Sequence, residues 1–363
     1  MKLQVTQENL NKALNSVAKV ASSRGTLPIL ANVLVKTSKN RLSISATNLD
    51  IAITHYIGAK VSEEGSITVP ARLMQDFVSS LPEGIIELSL EETKLHVSTD
   101  QYKSVVNGII ADDFPVMPAL KDGKEWTVDG KAFKKALQQI VFAASSDETR
   151  PVLTGVLLSA KDGQLYLAAT DSYRLAEKKV GPIKSEFELL IPSSSMQDLL
   201  RVLGDDVTTI KARFDEQQVL FTLGDIELVT RQIDGKYPDY QKLIPEKFEN
   251  SAVVKKADLT NVTKVSSLFA RESAGSVTIE LSEEKKELSI RSVASQLGEN
   301  TSTAKGKIKG SASITLNSRY LLDALGVIGG DEIEFGFNGR LEPTMLSETK
   351  DKSYRHVIMP LKS

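Results

Sequence analysis

The chain has 363 residues, of which 41% are hydrophobic and 25% charged, and it contains no cysteine. Disulfide frameworks and thiolate chemistry are therefore excluded, and no run approaches the roughly 18 apolar residues of a membrane span. With 45 basic and 47 acidic side chains the net charge is −2, so a nucleic-acid surface has to be sought in where the charges sit.

Apolar residues at helical spacing (Leu10, Ala13, Leu14, Val17, Ala18 and Ala21) predict a helix over about 7–23, with Thr6 as its N-cap. Alternation along Arg41-Leu42-Ser43-Ile44-Ser45-Ala46 marks a half-buried strand, entered through a hairpin turn at Lys39-Asn40. A second helix over about 71–81 starts after Pro70 and stops at Pro82, and a linker falls near 118–124. The order then recurs. A helix over about 130–145 follows Asp129, a hairpin turns at Asp162-Gly163 into the strand from Gln164 to Ala169, and a helix over about 193–203 runs from Pro192 to Gly204. After a linker at 245–250 come helices over about 256–270 and 318–328, the latter opening at Asn317 and stopping at Gly329.

These elements form a threefold repeat with a period of about 123 residues. Leu10-Asn11-Lys12-Ala13-Leu14 returns as Phe133-Lys134-Lys135-Ala136-Leu137 and faintly as Leu259-Thr260-Asn261-Val262. Pro70-Ala71-Arg72-Leu73-Met74-Gln75-Asp76 returns as Pro192-Ser193-Ser194-Ser195-Met196-Gln197-Asp198 and as Asn317-Ser318-Arg319-Tyr320-Leu321-Leu322-Asp323. Each copy closes on an apolar residue and proline: Met117-Pro118, Ile244-Pro245 and Met359-Pro360. A period this long denotes domains rather than solenoid repeats. The expectation is an α+β fold of three similar domains, 1-120, 127-245 and 251-363, each with two helices packed on antiparallel sheet and each a doubled βαβββ unit.

The helices are basic although the chain is slightly acidic. They carry Lys12, Lys19, Arg72, Lys131, Lys134, Lys135, Arg201, Lys256, Lys264 and Arg319 against Glu8, Asp76, Asp198, Asp258 and Asp323. Lysines also favour helices simply as solvated residues. Shared across three copies, the bias points to a basic surface. With one tryptophan and 6% aromatics, any nucleic-acid contact is expected to address phosphates without reading sequence.

Several motifs carry a family resemblance: Thr26-Leu27-Pro28-Ile29-Leu30, Arg150-Pro151-Val152-Leu153-Thr154-Gly155, Ala169-Thr170-Asp171-Ser172-Tyr173-Arg174-Leu175-Ala176, Tyr237-Pro238-Asp239-Tyr240 and the closing Val357-Ile358-Met359-Pro360-Leu361. With the threefold repeat, they resemble the bacterial sliding clamps, the β subunits of DNA polymerase III, in order over the whole chain. The resemblance implies a head-to-tail homodimeric ring (the DNA clamp fold) that encircles duplex DNA without sequence preference, helices lining the hole. Given a ring, twelve helices each about 10 Å wide leave a hole of about 28 Å, wide enough for a duplex about 20 Å across with a water layer.

By the same resemblance, Arg24, Arg72 and Arg150 approach DNA, alongside Lys12, Lys19, Lys131, Lys134, Lys135, Arg201 and Lys264 on the helices. A peptide-binding groove would have one subsite at Leu153, Thr170, Ser172, Tyr173, Arg174, Leu175, Pro238, Lys242, Leu243, Val357 and Met359. Its neighbour would lie at Tyr320, Leu341, Pro343, Pro360 and Leu361. The apolar closing segment itself suggests docking, since free chain ends are usually polar and frayed. The implied partners are the replicative polymerase, a clamp loader and other proteins with short clamp-binding motifs. Val106 and Leu268 sit where the family places the dimer contact. Tyr173 stands where a histidine is common, and Ser273 where some members have an aromatic.

No catalytic centre, cofactor, metal site or membrane association is expected. Gly329-Gly330-Asp331-Glu332-Ile333-Glu334-Phe335 resembles a cyclase signature in composition, but its spacing is wrong and its copies at 81–84 and 203–206 mark a repeated turn. Ser193-Ser194-Ser195 begins a helix, and His55, His96 and His356 lack ligand spacing. Ser282-Glu283-Glu284-Lys285-Lys286-Glu287 reads as a solvated hairpin turn, and there is no phosphate-binding loop. Met1-Lys2-Leu3-Gln4-Val5 lacks the apolar core of a secretory signal, so a cytoplasmic location is expected. The alternative reading is a non-catalytic repeat scaffold that binds proteins without encircling DNA.

Overall fold

The computed structural model describes residues 1–21, 27–115, 120, 123–296 and 298–362. The first copy runs β1 (Lys2–Thr6), α1 (Gln7–Val17), β2 (Asn32–Ser38), β3 (Arg41–Thr47), β4 (Ile51–Gly58), β5 (Lys60–Glu63), β6 (Ser66–Pro70), α2 (Ala71–Ser80), β7 (Ile85–Glu91), β8 (Lys94–Ser98) and β9 (Lys103–Asn107). The second runs β10 (Lys124–Asp129), α3 (Gly130–Ile140), β11 (Gly155–Lys161), β12 (Gln164–Thr170), β13 (Arg174–Pro182), β14 (Phe187–Pro192), α4 (Ser193–Val202), β15 (Thr209–Phe214), β16 (Gln218–Leu223) and β17 (Ile226–Arg231). The third runs β18 (Asn250–Lys255), α5 (Lys256–Phe269), β19 (Ser276–Ser282), β20 (Glu287–Ala294), β21 (Gly298–Lys309), β22 (Ser313–Asn317), α6 (Ser318–Val327), β23 (Glu332–Phe337), β24 (Thr344–Glu348) and β25 (Tyr354–Ile358). Within each copy the order of one strand, a helix and a run of strands occurs twice, which is the doubled unit expected from sequence.

Local chemistry explains the elements. Thr6 accepts a hydrogen bond from the Asn9 amide at 3.4 Å, and Asn317 accepts one from the Arg319 amide at 2.9 Å, so both act as N-caps. The turn between β11 and β12 places Asp162 at φ 52° and Gly163 at φ 70°, the left-handed pair that a tight two-residue hairpin needs. The first helices are shorter than expected. α1 ends at Val17 rather than near 23, and α3 ends at Ile140 and continues as a 3-10 turn over Val141–Ala143. Ala18, Val20 and Ala143 are nonetheless buried, so apolar periodicity outruns the helix itself.

Contacts divide the chain into two compact units, Met1–Lys131 with Ser194–Gln232, and Ala132–Ser193 with Ile233–Ser363. The middle copy contributes strands to both. In the first unit an eight-stranded antiparallel sheet runs β10-β15-β16-β17-β4-β3-β2-β6, and β17 pairs with β4. A five-stranded sheet, β5-β1-β7-β8-β9, belongs to the same unit. α1 packs on β3, β4 and α2, burying Leu10, Ala13, Leu14 and Val17.

In the second unit a twelve-stranded sheet runs β14-β11-β12-β13-β25-β24-β23-β18-β21-β20-β19-β22. Here β13 pairs with β25, so the last strand of the chain lies beside a strand of the middle copy. α5 packs on β20, β21 and α6 with Leu259, Thr263 and Ser266 inward. Thr263 satisfies its hydroxyl on the Leu259 carbonyl at 2.6 Å and Ser266 on Asn300 Oδ1 at 3.0 Å. This polar inner face is why the third copy of the first helix repeats only faintly.

Candidate peptide-binding site and basic helix faces

The expected peptide residues all lie in the second unit, around the pairing of β13 with β25. The turn between β12 and β13 is built by side chains. Asp171 Oδ1 accepts from the Tyr173 and Arg174 amides at 2.9 Å each, and Thr170 Oγ1 accepts from the Ser172 amide at 3.1 Å. Ser172 is thereby held at φ 78°, a conformation unusual for a residue with a side chain. The Arg150 guanidinium donates to Ser172 Oγ at 3.0 Å and to Asp147 Oδ2 at 3.1 Å. Tyr173, at the tip, is 59% exposed.

The closing segment is docked as its composition suggested. Leu175 pairs with Val357 and Arg174 with Ile358. Beyond the strand, the Met359 amide donates to the Tyr173 carbonyl at 2.8 Å, and the Leu361 amide to the Thr315 carbonyl at 2.9 Å. Met359, Pro360 and Leu361 remain half-buried. Thr344 pairs with Ile358, which sets Pro343 at the level of Met359 in the register.

Leu175 and Val357 are buried among Leu157, Ala168, Leu190, Tyr237, Tyr240 and Ile244. They form a floor rather than a contact surface, as do the buried Leu153 and Thr170. The two tyrosines meet edge to face, with ring centroids 6.3 Å apart. Lys242 and Leu243 are exposed on a 3-10 segment, Tyr240–Leu243, with the exposed Pro238 just before it, and Lys242 pairs with Asp239 at 2.7 Å. Leu341 is 67% exposed.

Arg174 does not present its charge to solvent. Its Nε donates to Asp171 at 3.1 Å, one terminal nitrogen to Asp323 at 2.6 Å and the other to the Phe142 carbonyl at 2.8 Å. The guanidinium also lies over the Tyr320 ring at 4.7 Å and the Phe142 ring at 5.2 Å. Phe142 in turn stacks on His356 with centroids 5.8 Å apart. Burial, and then the Arg174 cation, push the His356 pKa down to about 3, so the ring is neutral. Burial also raises the Tyr320 phenol, helped by the Asp171 carboxylate. Phe142, Asp171, Asp323 and His356 were missing from the sequence-based site. Only Asp171 lay in a quoted site motif, and nothing in the sequence pairs Asp323 with a residue 149 positions away.

Of the expected DNA-facing residues, Arg24 lies outside the described residues, as do Thr26 and the first closing pair, Met117-Pro118. Lys12, Lys19, Lys131, Lys135, Arg201 and Lys264 are exposed, and Lys134 is half-buried. Arg72 is exposed, 4.0 Å from Asp76. In the first unit a cleft of about 720 Å³ brings Lys12 and Arg201 together with Asn11, Asn15 and His55. Arg201 pairs with Asp198 on its own helix. Arg150 is committed to the Ser172 turn. Lys256, counted among the basic helix residues, donates to the Ile328 carbonyl at the end of α6 and so serves structure.

At the expected interface, alternation along β9 buries Val106, 5% exposed, on one face of its sheet and turns its neighbour Val105, 53% exposed, to the other. Leu268 is 50% exposed. β9 ends its sheet, and residues 298–305 of β21 pair only with β20 among the described residues.

Three family models cover the chain. Residues 1–118 match the N-terminal, 127–239 the central and 241–362 the C-terminal domain of the DNA polymerase III beta subunit. The chain is 30% identical to a beta sliding clamp of Staphylococcus epidermidis over all of both proteins. It is 32% identical to that of Synechococcus elongatus over 99% of each. The crystal structure of a DNA polymerase sliding clamp from Bacillus subtilis superposes with a TM-score of 0.95 at 28% identity, covering 100% of this chain and 99% of that one.

Proposed function

Since the chain belongs to the DNA polymerase III β subunit family, the sliding clamps, we propose how it carries out that family's processivity role in DNA replication. Three non-catalytic domains, 1-120, 127-245 and 251-363, form half of a homodimeric ring around duplex DNA in the cytoplasm. The three matched family ranges support these boundaries. A clamp must hold DNA without gripping it. Exposed lysines and arginines separated from phosphate by water supply a shallow, sequence-independent attraction that lets the ring slide. Arg24, Arg72, Lys12, Lys19, Lys131, Lys134, Lys135, Arg201 and Lys264 carry that attraction.

Closure joins the open edge of β9 to the open stretch of β21 in a second copy, satisfying backbone groups that an edge strand leaves free. Val105 and Leu268 then provide the apolar contact. The replicative polymerase, the clamp loader and other proteins with short motifs attach at the β13–β25 groove. Tyr173, Leu243, Met359 and Leu361 offer exposed or half-buried apolar anchors over a packed floor. The observation that carries this reading is the docking of the closing segment on the exposed Tyr173 turn through the Met359 amide.

Changing Met359 and Leu361 together to alanine tests it. A polymerase clamp-binding peptide should lose about tenfold or more in affinity, about 1.4 kcal/mol. Unchanged affinity in calorimetry would remove the site from this surface.

A further inference from the structure

Arg174 is in contact with both halves of the peptide site, and it is already fully engaged there. All three guanidinium nitrogens have acceptors within the chain, two of them carboxylates, and the Tyr320 and Phe142 rings both pack against the cation. Little of it is left to bind a peptide directly. Its partners are divided between two elements. Asp171 belongs to the turn that displays Ser172 and Tyr173, and the same carboxylate holds the Tyr173 and Arg174 amides. Tyr320 and Asp323 belong to α6, one turn apart on the same helix face.

We infer that Arg174 is a positioning residue that couples the two subsites, so that filling the Tyr320 side makes the Tyr173 side bind more tightly. This rests on the peptide site proposed above. The cation cannot follow Tyr320 or Asp323 without pulling on Asp171, and Asp171 sets the turn. A peptide anchor that orders one half therefore relieves the second anchor of part of the ordering cost, which makes the two anchors non-additive. Each carboxylate has a distinct task. Asp171 shapes the turn whether or not α6 is engaged, whereas Asp323 acts only as the link.

The test uses the intact protein and the clamp-binding peptide of the replicative polymerase, with its first anchor, its second anchor or both replaced by alanine. In the native chain the double replacement should depart from the product of the single effects by about fivefold or more. In Asp323→Ala, which leaves Arg174 its other two acceptors, that factor should fall to near one while singly anchored peptides bind within about twofold of native. Arg174→Lys, which keeps the charge but not the planar fork, should give the same loss of coupling and guards against misfolding in the first variant. A purely structural role would weaken all peptides alike and leave the factor unchanged. Equal coupling in native and variant chains, or additive anchors in the native chain, overturns the inference while leaving the peptide site standing. Failure of the intact peptide to bind the native chain overturns both.

Discussion

His356 gives the sharpest quantitative expectation, because its environment fixes its charge. The ring has no exposed surface, stacks on Phe142 and lies within the influence of the Arg174 cation. Tyr354 Oη is 3.0 Å from Nδ1. Nε2 is buried without a hydrogen-bond partner among the described residues, so neither nitrogen faces a carboxylate that would hold a second proton. In the unfolded chain the same ring protonates near its ordinary value of about 6.5. Its folded pKa is lowered to about 3, so the stabilisation from keeping it neutral is complete above pH 6.5. That stabilisation is lost progressively as pH falls from 6.5 towards 3, since there the unfolded state binds the extra proton. At about 1.4 kcal/mol per pH unit, the loss from this one residue reaches about 2 kcal/mol by pH 5. Two measurements check it. The His356 ring carbon and nitrogen shifts, followed by NMR in the folded protein, should not titrate between pH 7.5 and 4.5. The pH slope of urea-unfolding stability for the transition that melts the second unit should fall by about one proton in His356→Gln. A folded-state titration near 6.5, or an unchanged slope in the variant, would refute the argument.

Two further predictions concern the proposed ring. Replacing Arg24 and Arg72 together with alanine should impair loading onto circular duplex DNA and reduce the salt slope of DNA binding by about 1 to 2, with the dimer intact by sedimentation. Unchanged loading and processivity would remove both from the DNA surface. Val105→Asp should weaken dimerisation about tenfold or more by placing a charge at the closing edge. Val106→Ala, a core truncation, should instead cost about 1–2 kcal/mol of folding stability and leave the dimer dissociation constant within about twofold. The reverse pattern in sedimentation and denaturation experiments would restore Val106 as the contact residue.

The sequence was enough to reveal the repeat, the six α-helices of the described residues and the tight hairpins, because caps, proline and glycine stops and periodicity all act within a few residues. It misplaced the ends of α1 and α3, since residues in a following turn can be buried as well as those in a helix. It could not tell that Val106 is the buried and Val105 the exposed member of its pair, because an edge strand's facing is set by its partner β8, and two adjacent valines carry no alternation to read. The peptide site was legible as motifs through family resemblance, yet its internal organisation was not. At matching repeat positions the first unit has Leu34, Ser45, Ala52 and Phe114, lining a cleft of about 640 Å³. In the second unit Leu157, Ala168, Leu175 and Tyr237 pack into a closed floor. Of these pairs only Ala52 and Leu175 differ much in size, a difference visible in the sequence; whether the positions leave a cleft or a floor depends on what packs beside them. The meeting of Arg174 with Asp323 and Tyr320 depends on pairing β13 with β25, strands almost 180 residues apart. Local propensity writes the elements into the chain, but only sheet pairing over that distance brings two unlike charges into one site.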